Sequence, residues 1–175
     1  DPHFYNTGFR IVEIAPEDSE TVNRIIDTYG LQEQRKAIAS HLMGEPKLFM
    51  RYQHRDSLEE AYLDAVPDPY QGKVVILVDE LSASSSEEFA GSLQAMGRAT
   101  IAGAQTPGRC LTMIVAPLPA GALLSYPDGQ SQTPAGRVLE DNGVIPDVEV
   151  ALDRALLLEG RDSQLEAALA WLEGH

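Results

Sequence analysis

Residues Lys73–Asp79 and the serine-rich turn after them constrain the fold more than any other part of this chain. The segment reads Lys-Val-Val-Ile-Leu-Val-Asp, an apolar run without polar alternation that is typical of a strand buried on both faces of a parallel sheet. Small residues follow at Ser82–Ser86, and then Phe89, Leu93 and Met96 recur at the spacing of one helix face. The pattern predicts a strand, a tight turn through serine, and a helix.

The serines at the helix start allow two interpretations. Ser84 is followed three residues later by Glu87, and Ser85 by Glu88, and both pairs match the capping box that satisfies backbone N–H groups at a helix start. A hydroxyl at this point also lies near unpaired N–H groups and the positive end of the helix dipole, which suits a nucleophile whose product is an oxyanion. The local pattern by itself favours capping over catalysis.

Further motifs follow this serine in a fixed order. They are Gly97-Arg98-Ala99, Thr106-Pro107-Gly108-Arg109 and Gly143-Val144-Ile145-Pro146-Asp147. In this order and spacing, the segment from Tyr70 to Val150 resembles the C-terminal processing proteases, also called tail-specific proteases, and their tricorn-like relatives. The resemblance implies a serine peptidase that cleaves unfolded or C-terminally exposed proteins through an acyl-enzyme. It also implies an α/β fold of the crotonase-like (ClpP-like) βα spiral type.

Carried over to this sequence, the resemblance makes Ser84 the nucleophile and the backbone N–H of Ser85 one oxyanion donor. Family members of the serine–lysine type carry their general base where this chain has Arg109. A lysine can lose its proton in a buried site because desolvation lowers its pKa, whereas a guanidinium stays charged. Arg109 therefore cannot be the base, and a serine–lysine dyad is excluded for this chain.

Three readings of the site then stay open. In the tricorn-like branch a histidine is the base, assisted by a glutamate at about the position of Glu140. His3 is the candidate there, because relatives with a histidine base carry it near the first strand, predicted here at Phe9–Ile14. In the second reading the site has lost its base, and a catalytically silent domain binds peptide. In the third, Arg109 binds a carboxylate such as a substrate C-terminus, while another group activates Ser84.

Two other histidines and one other activity are weaker candidates. His41 is expected to project from a helix beside its apolar stripe, and His54 lies in a polar segment that reads as surface. An acyl-CoA reaction, which crotonase-like folds also support, is disfavoured by the Thr-x-Gly and Gly-Val-x-Pro-Asp motifs.

Composition limits the classes of partner and cofactor. The 175 residues carry a net charge of −14, from 13 basic and 27 acidic side chains, which argues against nucleic acid and anionic membrane surfaces. No run is long enough to cross a membrane, and no metal or nucleotide motif is present, so no cofactor is expected.

Cys110 is the single cysteine and is expected to be a small buried hydrophobe. Protein or peptide substrates are the expected partners; oligomeric state and compartment are not indicated, although relatives are often exported to the periplasm or beyond.

One peptidase domain over residues 1–172 is expected, with 173–175 the possible start of a purification tag. The chain is expected to be incomplete, since Asp1 is not a natural start, and no PDZ-like module of the kind that many of the resembling proteases carry is recognisable. The resemblance also implies an Asp-x-Arg-x-Asn-x-Gly-Gly motif whose glycine N–H completes the oxyanion hole, and no segment of this sequence matches it. Either the segment that carries it is missing from this sequence, or the site has one oxyanion donor fewer.

Hydrophobic periodicity and breakers predict the remaining elements. Helices are expected at 19–26, 31–43 and 58–66, and from 162 onward with Leu165, Leu169 and Leu172 on one face. Strands are expected at 9–14, 100–102, 111–117 and 122–126.

Overall fold

A computed structural model describes residues 10–12 and 31–174. The elements are, in chain order, β1 Arg10–Val12, α1 Leu31–Met43, β2 Leu48–His54, β3 Leu58–Tyr62, β4 Val75–Val78, α2 Ser85–Ala95, β5 Thr100–Gly103, β6 Leu111–Pro117, β7 Leu123–Gln132, β8 Val148–Glu149, α3 Arg154–Leu158 and α4 Ser163–Gly174.

The first sheet has the strand order β1-β4-β5-β8, with β4, β5 and β8 parallel and β1 antiparallel to β4. All four residues of β4 are buried. Ile76 and Val78 belong to the core that contains α1 and α2, whereas Val75 and Leu77 pack with α4. Helices cover both faces of β4, which explains why its apolar residues do not alternate with polar ones.

The second sheet is antiparallel throughout, in the order β3-β2-β7-β6. Phe49 and Met50 of β2 join the core cluster of α2, and α2 contacts β2 on one side and β5 on the other. Residues 86–93 of α2 are consequently all buried. Helix α2 therefore lies between the two sheets, and only its two ends reach solvent.

The predicted helix at 58–66 is wrong, because the chain forms strand β3 over Leu58–Tyr62 and pairs with β2. Its sequence, Leu-Glu-Glu-Ala-Tyr, favours a helix locally, but strand preference depends on pairing with a neighbour, and that pairing decides here. The polar segment around His54 ends strand β2; Arg55 and Asp56 are exposed, as predicted for a surface segment, and His54 is half-buried.

The helix expected at 31–43 is confirmed with both bounds, whereas the buried face of α4 differs in part from the prediction. Gln164, Ala168 and Leu172 are buried in α4, and Leu169 is 43% exposed. The helix expected at 19–26 lies outside the described residues. No helix in the described part of the chain has the length and apolar character needed to span a membrane.

Candidate active site

The turn between β4 and α2 is held by Asp79, the residue that follows β4. Its carboxylate accepts the N–H of Leu81 at 2.9 Å and the hydroxyl of Ser82 at 2.9 Å. The Ser82 hydroxyl oxygen also accepts the Asp79 N–H at 3.0 Å. These bonds close the turn tightly, so that the chain passes from the buried strand to the start of α2 within six residues.

Ser84, the last residue before α2, has a strained backbone. Its φ is 57° and its ψ is −118°, and a positive φ is costly for a residue with a Cβ. The residue is exposed, although the helix after it is buried. The strained turn thus presents the Ser84 side chain to solvent at the N-terminus of a buried helix, where developing negative charge is stabilised.

Ser85 begins α2 and contributes a backbone N–H at this helix start. Among the described residues the structure shows no backbone acceptor for that N–H. An unbonded donor next to a nucleophile can stabilise an oxyanion. Any helix start leaves such N–H groups unbonded, so the oxyanion role that the resemblance implies for Ser85 stays a prediction.

The buried carboxylate of Glu87 joins the serine turn to the Thr-Pro-Gly-Arg loop. Glu87 has no exposed surface. Its oxygens accept the N–H of Ser84 at 3.0 Å, the hydroxyl of Thr106 at 2.5 Å and the N–H groups of Gly108 and Arg109 at 2.6 and 2.9 Å. The bond to Ser84 is the carboxylate half of the predicted capping box. One side chain therefore sets the position of Arg109 relative to Ser84.

Gly108 is required by this loop. Its φ is +69°, and a Cβ at this position would lie 2.8 Å from the backbone nitrogens of Asn142 and Gly143. A larger residue would therefore push the loop away from Glu87.

Arg109 and Glu140 both adjoin Cys110, Arg109 along the chain and Glu140 through a hydrogen bond. The Arg109 side chain is exposed, and its guanidinium has no hydrogen bond or ion pair to any residue the structure describes. The Glu140 carboxylate accepts the Cys110 N–H at 2.6 Å, and the Cys110 thiol lies 3.4 Å from the carbonyl oxygen of Ser84. The structure therefore brings Ser84, Ser85, Arg109 and Glu140 into one cluster. His3, the fifth predicted site residue, lies outside the described residues.

Cys110 is 1% exposed, which confirms the buried hydrophobe that the sequence predicted. Burial raises the pKa of its thiol strongly, and the negative charge of Glu87 raises it further. A thiol in this environment stays protonated, so Cys110 is not a second nucleophile.

His54 is paired with Asp128. Its Nδ1 lies 2.7 Å from an Asp128 oxygen, and its Nε2 lies 3.9 Å from Glu59 on the outer strand β3. His54 lies opposite Gly129 of β7, and Gly129 lies opposite Thr112 of β6. Two strand spacings, about 10 Å, therefore separate the backbone of His54 from that of β6. His41, the other described candidate, lies in the last turn of α1.

The model of peptidase family S41 matches residues 28–150. The chain belongs to this family. Its members are serine peptidases, in agreement with the resemblance drawn from the motifs.

Individual relatives of this S41 chain are named for the same chemistry. A carboxyl-terminal-processing protease of Picosynechococcus is 33% identical over 120 residues, covering 66% of this chain and 29% of the relative. The solved photosystem II D1 C-terminal processing protease has 28% identity and a TM-score of 0.62, covering 70% of this chain and 32% of that one. The tricorn protease shares the fold, with a TM-score of 0.61 and 23% identity, covering 83% of this chain and 14% of that one. The chain thus spans about a third or less of these relatives.

A buried ion pair that local sequence patterns did not predict lies in the first turn of α2. Glu88, expected to cap the helix with Ser85, instead pairs with Arg35 of α1 and accepts the hydroxyl of Ser131 from β7. Arg35 also donates to the Tyr52 hydroxyl at 2.8 Å. Burial lowers the pKa of Arg35. This network fixes the first turn of α2 to α1 and to the second sheet; the two acidic residues in a row were its only signal in the sequence.

Proposed function

We propose that this chain is the catalytic domain of a serine endopeptidase of the C-terminal processing type. The proposal rests on one observation: Ser84 is held at positive φ, exposed, at the N-terminus of a buried helix. Its substrates are unfolded or C-terminally exposed proteins, a class that comes from the resemblance and from the names of relatives. The domain covers residues 1–172, and its fold is the crotonase-like βα spiral, a finer class than mixed α/β.

In the proposed reaction the Ser84 hydroxyl oxygen attacks the carbonyl carbon of the scissile peptide bond, and its proton passes to a general base. The Ser85 N–H stabilises the oxyanion of the tetrahedral intermediate. The C–N bond then breaks, and the departing amine takes the proton from the base, which leaves an ester on Ser84. Water, activated by the same base, hydrolyses the ester and regenerates the serine.

For the base we propose His3, oriented by Glu140. Arg109 is excluded because its guanidinium does not deprotonate, and His54 is committed to Asp128 on another part of the sheet. Within the described residues Glu140 uses only one carboxylate oxygen, for the Cys110 N–H. The other oxygen is left for an imidazole N–H, which is the orienting role that carboxylates have beside catalytic histidines.

For Arg109 we propose a role in binding a substrate carboxylate. The guanidinium is exposed, and its backbone is tied through Glu87 to that of Ser84. A planar guanidinium binds carboxylates through paired hydrogen bonds. The test is a pair of peptides that differ only in a free or amidated C-terminus: Arg109→Gln should raise KM about tenfold for the acid and leave it unchanged for the amide. Equal effects on both peptides would exclude this role.

The replacement of lysine by Arg109 also favours a second candidate, a catalytically silent domain of the same fold that binds peptides. A guanidinium at the position of the base removes the known route for activating the serine. In that case Ser84 keeps its strained geometry but forms no acyl-enzyme.

Cleavage of an unfolded test protein, with products read by mass spectrometry, separates the two candidates. We expect fragments from the parent protein and none from Ser84→Ala, while Ser86→Ala, in the same serine run, keeps most of the activity. Equal loss in both variants would show that the serine run is structural. If the folded parent protein yields no fragments but binds the test protein, the silent domain is supported instead.

The base is tested separately, with the same cleavage assay. His3→Ala and Glu140→Gln should lower kcat by two orders of magnitude or more, in the range of general-base catalysis, and His54→Ala should leave it unchanged. A loss with His54→Ala and none with His3→Ala would overturn the assignment.

A further inference from the structure

Strands β6 and β7 extend beyond the sheet to which they belong. Strand β2 pairs with β7 only along residues 129–132, whereas β6 pairs with β7 as far as Pro117 and Leu123. The part of this hairpin at residues 111–126, termed here the apolar arm, is mostly a two-stranded ribbon. Such a ribbon is marginally stable when nothing packs against it.

The apolar arm exposes large apolar side chains on both of its faces. They are Leu111, Met113, Ile114, Val115, Leu118, Leu123, Leu124 and Tyr126, each between 38% and 70% exposed. Cross-strand pairing puts Ile114 beside Tyr126 on one face, and Val115 follows on the other. An exposed apolar surface of this extent marks an interaction site.

The arm also ends in an open strand edge. Strand β6 is the last in the order β3-β2-β7-β6, so its outer edge has no partner strand among the described residues. Sheet proteins usually protect such edges with charged residues. From Cys110 to Pro127 this chain has no charged residue, so the edge lacks that protection.

The charge distribution indicates what covers the arm. The chain as a whole carries a net charge of −14, so two copies repel each other over most of their surface. The arm is an uncharged stretch at which they can meet without placing carboxylates face to face. A basic partner would find no carboxylate here to bind.

The eight side chains set an upper bound on the apolar area of such a contact. At about 180 Å² for a residue of this size, they present roughly 700 Å² over both faces of the arm, against about 800 Å² from each partner in a standard interface. Because a contact along the edge covers only part of both faces, we expect a dimer weaker than a standard one. Antiparallel pairing of two identical edges is self-complementary, so it closes as a twofold dimer and does not grow into a fibre.

We propose that the apolar arm is the contact surface between two copies of this chain, which pair along β6 about a twofold axis. Strand β6 begins two residues after Arg109, and Cys110 contacts Ser84. Each candidate active site therefore lies beside the dimer contact, and pairing of the arms restrains the loop that carries Arg109.

Sedimentation of the whole chain over about 1 to 100 µM tests the proposal without any need for activity. We expect a dimer that dissociates on dilution. The double variant Met113→Lys/Val115→Lys should raise the dissociation constant at least 100-fold, because it places like charges on both arms. Its matched control is Leu58→Lys, which lies on β3 at the opposite edge and is similarly exposed, 51% against 53% for Met113; it should stay dimeric.

A parent protein that is monomeric throughout this range would overturn the proposal, as would a dimer that the arm variant leaves intact. Hydrogen exchange supplies a second readout, because those amides of residues 113–116 that face the open edge should become protected as the dimer forms. If the protein is monomeric and those amides become protected only when an unfolded protein is added, the arm binds substrate and the dimer is wrong.

Discussion

The backbone N–H of Ser84 donates to the buried carboxylate of Glu87 at 3.0 Å. The same carboxylate holds Thr106, Gly108 and Arg109, so a residue three positions after the candidate nucleophile also orders the loop opposite it. The local element that presents the serine and the distant loop beside it therefore depend on one group.

Replacing Glu87 by Gln should weaken both the fold and the activity. The amide cannot accept all four hydrogen bonds, and bonds to a charged group contribute about 1.5–3 kcal/mol each, so we expect unfolding to become easier by on the order of 3 kcal/mol. Displacement of the loop should lower kcat about 100-fold. Denaturant unfolding and peptide cleavage measure the two effects. Glu80→Gln, an exposed control in the preceding turn, should change neither; equal effects of the two variants would rule out this role for Glu87.

The strained backbone at Ser84 predicts that glycine destabilises the protein less than alanine at this position. Ser84→Gly should be more stable than Ser84→Ala by about 1 kcal/mol, because glycine adopts the positive φ of 57° without the cost imposed by a Cβ. At Ser85, in the helix, the order should reverse, because glycine is a poor helix former. Thermal unfolding of the four variants gives the comparison, and an alanine at 84 that equals or exceeds glycine would show that the turn is unstrained.

Removing one partner of the buried pair between Arg35 and Glu88 should lower the free energy of unfolding more than replacing both partners by apolar residues. Arg35→Ala leaves a buried carboxylate without its cation, and we expect a loss of about 3–5 kcal/mol. The double variant Arg35→Met/Glu88→Leu should lose less than the sum of the two single changes, with a coupling above about 1 kcal/mol. Lys36→Ala, which removes an exposed pair to Asp64 from the same helix, should cost at most about 1 kcal/mol. Denaturant unfolding of the single and double variants measures these free energies. If the effects of the two single changes simply add up in the double variant, the coupling is contradicted.

The buried Cys110 thiol predicts how stability depends on alkaline pH. Its pKa in the folded protein is raised above the ordinary value near 9.0 by burial and by Glu87. Above pH 9 the unfolded chain therefore loses a proton that the folded chain retains, and the free energy of unfolding falls as pH rises. Cys110→Ala should remove that part of the slope. The native thiol should also resist iodoacetamide at pH 8 and react once the protein unfolds; fast labelling of the native protein would show that the thiol is accessible.

Local patterns in the sequence determined the strand–serine–helix unit, the bounds of α1, the hairpin that contains Leu111–Pro117, and the burial of Cys110. Each depends on neighbours a few residues apart, and periodicity and turn residues report such neighbours directly. The ordered motifs also indicated the serine peptidase family. They identified Arg109 as a departure that excludes the usual base, because that conclusion needs only the chemistry of a guanidinium.

Tertiary structure alone decided which contacts those residues make. Glu87 and Glu88 look alike in the sequence, yet one holds the Thr106–Arg109 loop and the other pairs with Arg35, because side chains at successive helix positions point in different directions. The segment at Leu58–Tyr62 has a helical composition but becomes a strand, since hydrogen bonds to β2 outweigh a weak local preference. Long-range pairing of this kind leaves no periodic signal in a single chain, so only the folded arrangement reveals it.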